Sequence, residues 1–577
     1  MTPYVRSLTP HNDFALVVGE ELAGPMPRFK TEAVQGCALL QPAGAALPLP
    51  SVGPLHFSGI GFREGQLITR ETADDFAWGP EAHDGNYTVI VAEDDGLMIA
   101  NDAFGIGVLF VYRAANGRKT IISNNLHMLL TICRLAGLPL HAHEESFFKR
   151  LHPFSLGQQP SGSTAFFDEI SMVGVGDFLR IRQGAVHVET KPRVRHAAYG
   201  DALAAGVEAL RNQVRAGAAF GDTLVYRMSG GYDSRAIFGA LLKEKLLPQS
   251  WCWTFPEKED DFRVVKLLVN YYGGKFADNL PWRHDTRRLD IEGAFNMRLS
   301  HNCGLYSSHL GFELHPRRAF DCNTVIVFNG GGGECFRDFY FTTPDIEQPG
   351  VLESQITRLI AHRFPSLGAS SQMVADLFAR DFRSMPGETL KEKMRSHYLN
   401  FRNRFHFGNP TASRGSRINL TPLMQTSFLD AAEALRRSNR DFRHMLHDLF
   451  MMLDDRLALF PFDEEDKTFG PEFLLPGAEK KRKALLEELR DLNCAYDPVS
   501  LSSNYPEPEV TPRENRIFLE RKMQQAAERV RDHGIYRSVN FDGYLADLFS
   551  VRARNQRAYK QYRDSLISTA HLLDYAA

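Results

Sequence analysis

Residues 224–242, LVYRMSGGYDSRAIFGALL, constrain the fold most. An apolar run at Leu224, Val225 and Tyr226 enters a glycine turn, Ser229-Gly230-Gly231-Tyr232-Asp233-Ser234, and a helix-spaced apolar set (Ala236, Ile237, Ala240, Leu241) leaves it. A strand that passes through a tight turn into a helix belongs to an α/β sheet. Such a turn is also an anion site, because a helix start leaves unpaired N–H groups and carries roughly half a positive charge. Glycines let the backbone close on a phosphate, and Ser229 and Ser234 offer hydroxyls to the same oxygens. Asp233 repels a bare phosphate, so a nucleotide carrying Mg2+ is the better guest. No Lys follows the glycines, which excludes the G-x-x-x-x-G-K-[ST] loop. The simpler reading of the six residues is a strand-to-helix turn in which Asp233 caps the helix.

The turn resembles S-G-G-x-D-S, the pyrophosphate loop of the asparagine synthetase superfamily and of N-type ATP pyrophosphatases. Two further stretches follow in that family's order. Residues 255–266, FPEKEDDFRVVK, come after the strand-like SWCWTF, and residues 325–340, VIVFNGGGGECFRDFY, resemble L-S-G-x-G-x-D-E-x-F-x-x-Y. The resemblance implies cleavage of ATP to AMP and pyrophosphate while a carboxylate is adenylated for attack by ammonia or a substrate amine. It implies ATP and Mg2+ as cofactors, with Asp233 and Glu334 as metal ligands. It places nucleotide contacts at Met228, Ser229, Gly230, Gly231, Asp233, Ser234, Phe255, Asn329 and Gly330. Lys467, in FDEEDKTFG, is the candidate for the family's charge-stabilising lysine, beside Asp233 and Glu334 in the catalytic set. Asp260 and Asp261 fall on the metal or pyrophosphate side, although alone they read as a solvated helix start.

The departures are as informative. Where the family carries a Glu, or the Tyr of β-lactam synthetases, this chain has Gly331, which cannot move a proton. Glu334 stands in place of an Asp, and the family's following Glu is Cys335. Arg337 and Tyr340 are candidates to compensate, or packing residues. Arg402, Arg404, His406 and Arg417 form a basic stretch that reads as an acyl-substrate site or as a solvated face. Pro422, Leu423 and Asp430 resemble the start of the family's long core helix.

Ahead of this, residues 1–190 alternate short apolar runs with Gly, Pro and Asn turns, an antiparallel β pattern. Gly85, Asn86 and Tyr87, then Asp102, Gly105, Leu109 and Phe110, and finally Asp177, resemble the glutaminase domain of the same superfamily, an Ntn-type αββα sandwich. That chemistry needs a Cys at the processed N-terminus. This chain begins Met1-Thr2-Pro3-Tyr4 and its first cysteine is Cys37. Thr2 is the only alternative nucleophile there, and Pro3 disfavours its exposure. The expectation is an inactive glutaminase-like domain over 1–195, an ATP-pyrophosphatase domain with a parallel sheet over 196–478, and a helical carboxy-terminal extension over 479–577.

Three functions remain open: an amide-forming ligase, an intramolecular cyclase of the lasso-peptide or β-lactam type, and a non-catalytic nucleotide-binding scaffold. A net charge of −3 gives no pull toward nucleic acid or an anionic membrane. The absence of a long apolar run, of an apolar leader and of paired cysteine spacing points to a cytoplasmic chain with reduced thiols. The KKRK stretch reads as the solvated start of a helix. The partners expected are a small-molecule or peptide carboxylate and an amine donor, with the carboxy-terminal helices offering a homodimer surface, another partner surface or a lid.

Overall fold

A computed structural model describes residues 13–22, 26–42, 53–63, 65–152, 155–278, 284–288, 290–306, 317–319, 325–340, 343–407, 418–492, 494–499, 501 and 512–576. The amino-terminal Thr2 and the candidate Arg417 lie outside the described residues.

The amino-terminal third forms two antiparallel six-stranded sheets. The first runs in the order Ile170–Met172, Phe110–Arg113, Lys119–Ser123, Ala15–Gly19, Cys37–Pro42, Phe29–Val34, and the second in the order Ala185–Thr190, Asp177–Arg182, Gly96–Asn101, Gly85–Glu93, His56–Arg63, Gln66–Ile68. Strand alternation sorts their side chains. Leu16 and Val18 join Leu97, Ile99 and Leu179 between the sheets, whereas Ala15 and Val17 turn outward to the helix Leu126–Leu135. The outer face of the second sheet is closed by Phe57, Tyr87, Met98 and Phe178 with Trp78 packed on them.

Buried Asp102 organises the turn that leaves the second sheet. Its carboxylate accepts from the N–H groups of Phe104 (3.0 Å), Ile106 (3.0 Å) and Gly107 (2.7 Å). The buried Lys191 ammonium donates to Asn101 Oδ1 (2.5 Å) and to the Asp102 (2.9 Å) and Val175 (2.9 Å) carbonyls.

The helix α1 (Tyr199–Phe220) leads into a five-stranded parallel sheet. Its strands are β1 (Thr223–Arg227), β2 (Ser250–Trp253), β3 (Lys275–Phe276), β4 (Val325–Phe328) and β5 (Ile418–Leu420), in the order β3-β2-β1-β4-β5. The helices α2 (Tyr232–Lys243) and α3 (Glu259–Tyr271) connect them, and α4 (Thr426–Arg437) packs on α1. Leu224 and Tyr226 face this helical layer, while Val225, Val325 and Val327 form a small cluster with Trp251, Trp253 and Leu501 on the other face. The sequence leads one to expect helix throughout 345–460, yet β5 interrupts it. Three residues are too few to show a strand period.

The carboxy-terminal region divides. Helix Ala478–Arg490 buries Leu485 and Leu489 in the parallel-sheet core and leaves Lys480, Lys481 and Lys483 to solvent. Helices Pro512–Asp532, Phe541–Arg554 and Gln556–Leu573 return to the first antiparallel sheet, where Met523, Tyr544 and Tyr562 pack in one core with Leu129 and Phe147. No helix among the described residues is long and apolar enough to cross a membrane.

Candidate active site

The strand order reverses between β1 and β4, and the loops leaving the carboxyl ends of these two strands meet there. That is where an open α/β sheet binds ligands. Met228 to Gly231 follow β1, and Asn329 to Gly333 follow β4. Gly330 is glycine for a reason of space. A Cβ there would lie 2.6 Å from Ser234 N and 2.8 Å from its Cα, so the two loops touch backbone to backbone. A Cβ on Gly333 would overlap the Asp233 carboxylate, and one on Gly331 would overlap the Phe407 ring. Gly330 and Gly333 therefore let the second loop press onto the first, while Gly331 and Gly332 make room for Phe407 and Met424.

Ser229 and Ser234 hold the first loop closed, with Ser229 N donating to Ser234 Oγ (3.1 Å) and Ser234 Oγ donating to the Ser229 carbonyl (3.0 Å). Gly230 N donates to Asp261 Oδ1 at 2.7 Å, so a carboxylate from the start of α3 rests on the backbone N–H of the turn. That contact demonstrates that the N–H takes an anionic oxygen. Gly231 is open, its nearest non-adjacent atom being Ser229 Oγ at 3.8 Å from a built Cβ.

Asp233 and Glu334, 101 positions apart by their numbers, converge on one cation. Arg337 Nη2 lies 3.2 Å from Asp233 Oδ2 and 3.8 Å from Glu334 Oε1. Burial pushes the Asp233 carboxyl up to about 7; Glu334 adds to the rise, and Arg337 and Lys467 oppose it. Two carboxylates sharing one positive group, one of them reluctant to ionise, suit a divalent ion held by hard oxygen ligands.

Lys467 reaches the same place on a short helical turn, Glu465–Lys467. Its ammonium donates to Asp463 Oδ2 (2.8 Å) and pairs with Glu464 Oε1 (3.1 Å). Burial opposes its charge, but these two carboxylates outweigh that and raise its pKa. The Tyr232 hydroxyl donates to the Lys467 carbonyl, and a Cβ on Gly230 would sit 2.5 Å from Asp463 Cβ.

Buried Arg235 ties these parts together, and sequence reasoning did not single it out. It donates to the carbonyls of Gly230 (3.3 Å), Leu457 (3.0 Å), Phe460 (3.2 Å) and Pro461 (2.6 Å), and its guanidinium lies 3.5 Å from the Phe462 ring centre. Burial lowers it to about 9, with Asp463 opposing. The only sequence signal is an arginine on the apolar side of α2, between Ser234 and Ala236.

The remaining candidates divide. Buried Met228 donates its N–H to the Trp253 carbonyl (3.0 Å), which joins the β1 and β2 ends. Asn329 N donates to the Leu420 carbonyl (2.8 Å). Phe255 is 43% exposed beyond the end of β2, its ring 4.4 Å from that of Trp253. Tyr340 does not join the site, since its hydroxyl pairs with His397 Nδ1 at 3.2 Å. Arg402 and Arg404 are not a substrate patch. Arg402 Nη1 donates to Gln159 Oε1 (3.0 Å), and Arg404 donates to the Gly105 (2.6 Å) and Val173 (2.9 Å) carbonyls, holding the antiparallel domain. Both are buried, so an arginine run that reads as surface is internal.

Comparison with known protein families and with curated proteins finds no match to this chain.

Proposed function

We propose that the chain is an ATP-dependent ligase of the asparagine synthetase type. It adenylates a carboxylate with release of pyrophosphate and passes the acyl group to ammonia or to a substrate amine. On this reading the parallel sheet is a PP-loop ATP-pyrophosphatase domain and the two antiparallel sheets are an Ntn-like domain. The observation that carries the proposal is the meeting of the Ser229–Ser234 loop, the Asp233–Glu334 pair and Lys467 at the point where the strand order reverses.

Each group then has a task. The N–H groups of Gly230 and Gly231 hold the polyphosphate at the start of α2. Met228, Phe255, Asn329 and Gly330 border the adenosine side. Asp233 and Glu334 hold Mg2+, which when bound neutralises phosphate charge and makes pyrophosphate a better leaving group. Lys467 offsets charge that grows as the α-phosphate is attacked.

A second reading, an intramolecular cyclase of the lasso-peptide type, gains from Gly331. The Phe407 ring fills the space a side chain would need there, so no base acts from that position. An amine that is already nucleophilic needs none, which disfavours β-lactam closure.

ATP–pyrophosphate exchange against a panel of carboxylic acids tests the proposal. Acid-dependent exchange should appear and should vanish in Asp233→Asn while the fold persists. Exchange undiminished in that variant removes the metal assignment, and no AMP with any acid leaves only the scaffold reading.

A further inference from the structure

His127, Cys303 and His571 meet in the core shared by the first antiparallel sheet and the carboxy-terminal helices. One ring nitrogen from each histidine and the Cys303 sulfur all lie within 4.8 Å of one another. Three separate helices supply them. His127 is on Leu126–Leu135, Cys303 caps Ile291–Asn302, and His571 is near the end of Gln556–Leu573. The two imidazoles lie nearly parallel, their centres 6.0 Å apart and their planes at 26°. Nothing in the adenylation site uses them.

Three further observations single the cluster out. His571 Nε2 is buried and has no hydrogen-bond partner among the described residues, an expensive condition for a polar atom. His127 Nδ1 is engaged by the Tyr575 hydroxyl at 3.1 Å, which leaves its other nitrogen to face a ligand and matches the outer partner that metal-bound histidines carry. Cys303 is 1% exposed and adopts φ +43° at a helix C-cap, where a side chain is strained and glycine is usual. A cysteine held in that conformation is a residue whose direction matters.

We propose that His127, Cys303 and His571 bind one zinc-class divalent cation, which clamps the carboxy-terminal helices onto the helical layer of the amino-terminal domain. Two imidazoles and a thiolate are a borderline-soft donor set that suits Zn2+. Bonds of about 2.0–2.3 Å place tetrahedral ligand atoms within about 4 Å of one another, so the three groups need to close by at most ~1 Å. Burial pushes His571 down to about 3 and also lowers His127, so both imidazoles are neutral and ready to donate. The same burial keeps Cys303 a thiol in the metal's absence. Coordination forms the metal–sulfur bond, and the thiol proton leaves to buffer. Asp13 near His127 favours the resulting positive charge, whereas Arg134 and Arg28 near His127, Arg134 and Arg529 near His571, and Arg150 near Cys303 oppose it, so the thiolate formed at Cys303 has to offset them. Water fills the fourth position from the side where His127 and His571 are partly exposed.

The test uses the full chain, stripped with a chelator and titrated with Co2+ and Zn2+. Wild-type protein should take up one Co2+ tightly, with tetrahedral visible bands and a thiolate-to-cobalt charge-transfer band in the near ultraviolet. Zn2+ should displace the cobalt and raise the melting temperature. Cys303→Ser should lose the charge-transfer band, whereas Cys494→Ser, at the one partly exposed cysteine among the described residues, should keep it. Tyr575→Phe should weaken binding about 10- to 100-fold without abolishing it. Wild-type protein that takes up no stoichiometric Co2+, or a charge-transfer band that survives Cys303→Ser, overturns the proposal; the first outcome does not depend on any variant folding.

Discussion

Gly231→Ala separates a phosphate-binding loop from a plain strand-to-helix turn. Gly231 sits at φ −86° and ψ −171°, an extended conformation open to alanine, and a Cβ built there has no non-adjacent neighbour closer than 3.8 Å. Reduced freedom of the unfolded chain favours the alanine by about 0.4–1 kcal/mol. Its poorer performance at a helix N-cap opposes this by a similar amount, roughly 0.5–1 kcal/mol. Stability should therefore move by less than about 0.5 kcal/mol. A phosphate oxygen accepting from the loop would lie about 2.9 Å from a backbone nitrogen. The new methyl narrows the open space that the loop leaves for a wrapped polyphosphate, and an overpacking term of about 1–3 kcal/mol then weakens ATP binding roughly 5- to 150-fold. Gly330→Ala is the control with the opposite signature. Its Cβ would meet Ser234 backbone at 2.6 Å, so that variant should lose stability by about 1–3 kcal/mol as well. Urea melts and calorimetric titration with Mg-ATP read both quantities. A Gly231→Ala protein that binds Mg-ATP like wild type shows that the loop does not close on phosphate.

On the proposed reading, protons and Mg2+ compete for the Asp233–Glu334 pair. With the Asp233 carboxyl raised to about 7, Mg2+ affinity should fall by up to about tenfold per unit below pH 7 and level off above it; a flat profile from pH 5.5 to 8 refutes the assignment. Because that folded value lies above the ordinary 3.8, ionising the group opposes folding, and its stability contribution shrinks as pH rises from about 4 toward 7 in metal-free protein. Lys149→Met should destabilise by about 3–5 kcal/mol, since it strands the Asp381 carboxylate that Lys149 Nζ meets at 2.5 Å between helices Glu144–Arg150 and Gly368–Arg383; a loss under about 1 kcal/mol in urea melts contradicts this. Incubation with glutamine should release no glutamate above background, and robust release would make Thr2 a working nucleophile.

What the sequence made legible follows from period and punctuation. β1, the serine-glycine turn and α2 read directly because an apolar run, a glycine pair and a 3.6-residue repeat succeed one another within 19 residues, 224–242. The runs SWCWTF and TVIVFN gave β2 and β4 for the same reason. β3 has two residues and β5 three, so neither carries a pattern. The carboxy-terminal helices were legible as helices, but an amphipathic stripe does not say which surface it covers. Buried arginines misled in a systematic way. Arg235 and Arg404 satisfy several carbonyls each, a role that depends on three-dimensional neighbours and that linear order marks, for Arg235, only by its place on the apolar side of α2. His127, Cys303 and His571 have no spacing motif at all, since three helices must fold before they meet.

The charges at the candidate site argue for a combined cation and polyphosphate rather than for either alone. Each already has a counter-charge within the protein: Asp261 rests on Gly230 N, Arg337 on Asp233, and Asp463 and Glu464 on Lys467. A phosphate arriving at the loop takes over the donor that Asp261 uses, which substitutes one anion for another. A metal arriving between Asp233 and Glu334 takes the position of the Arg337 guanidinium, one cation for another. Bare phosphate would still face the Asp233 carboxylate across a half-buried crevice, and a bare metal would leave the displaced Arg337 without a partner. Only a guest that brings both charges completes both exchanges, because it releases Arg337 toward its own phosphate oxygens. On the proposed reading, selectivity for a metal-bound nucleotide resides in the pairing of two turns that Gly330 and Gly333 allow to touch.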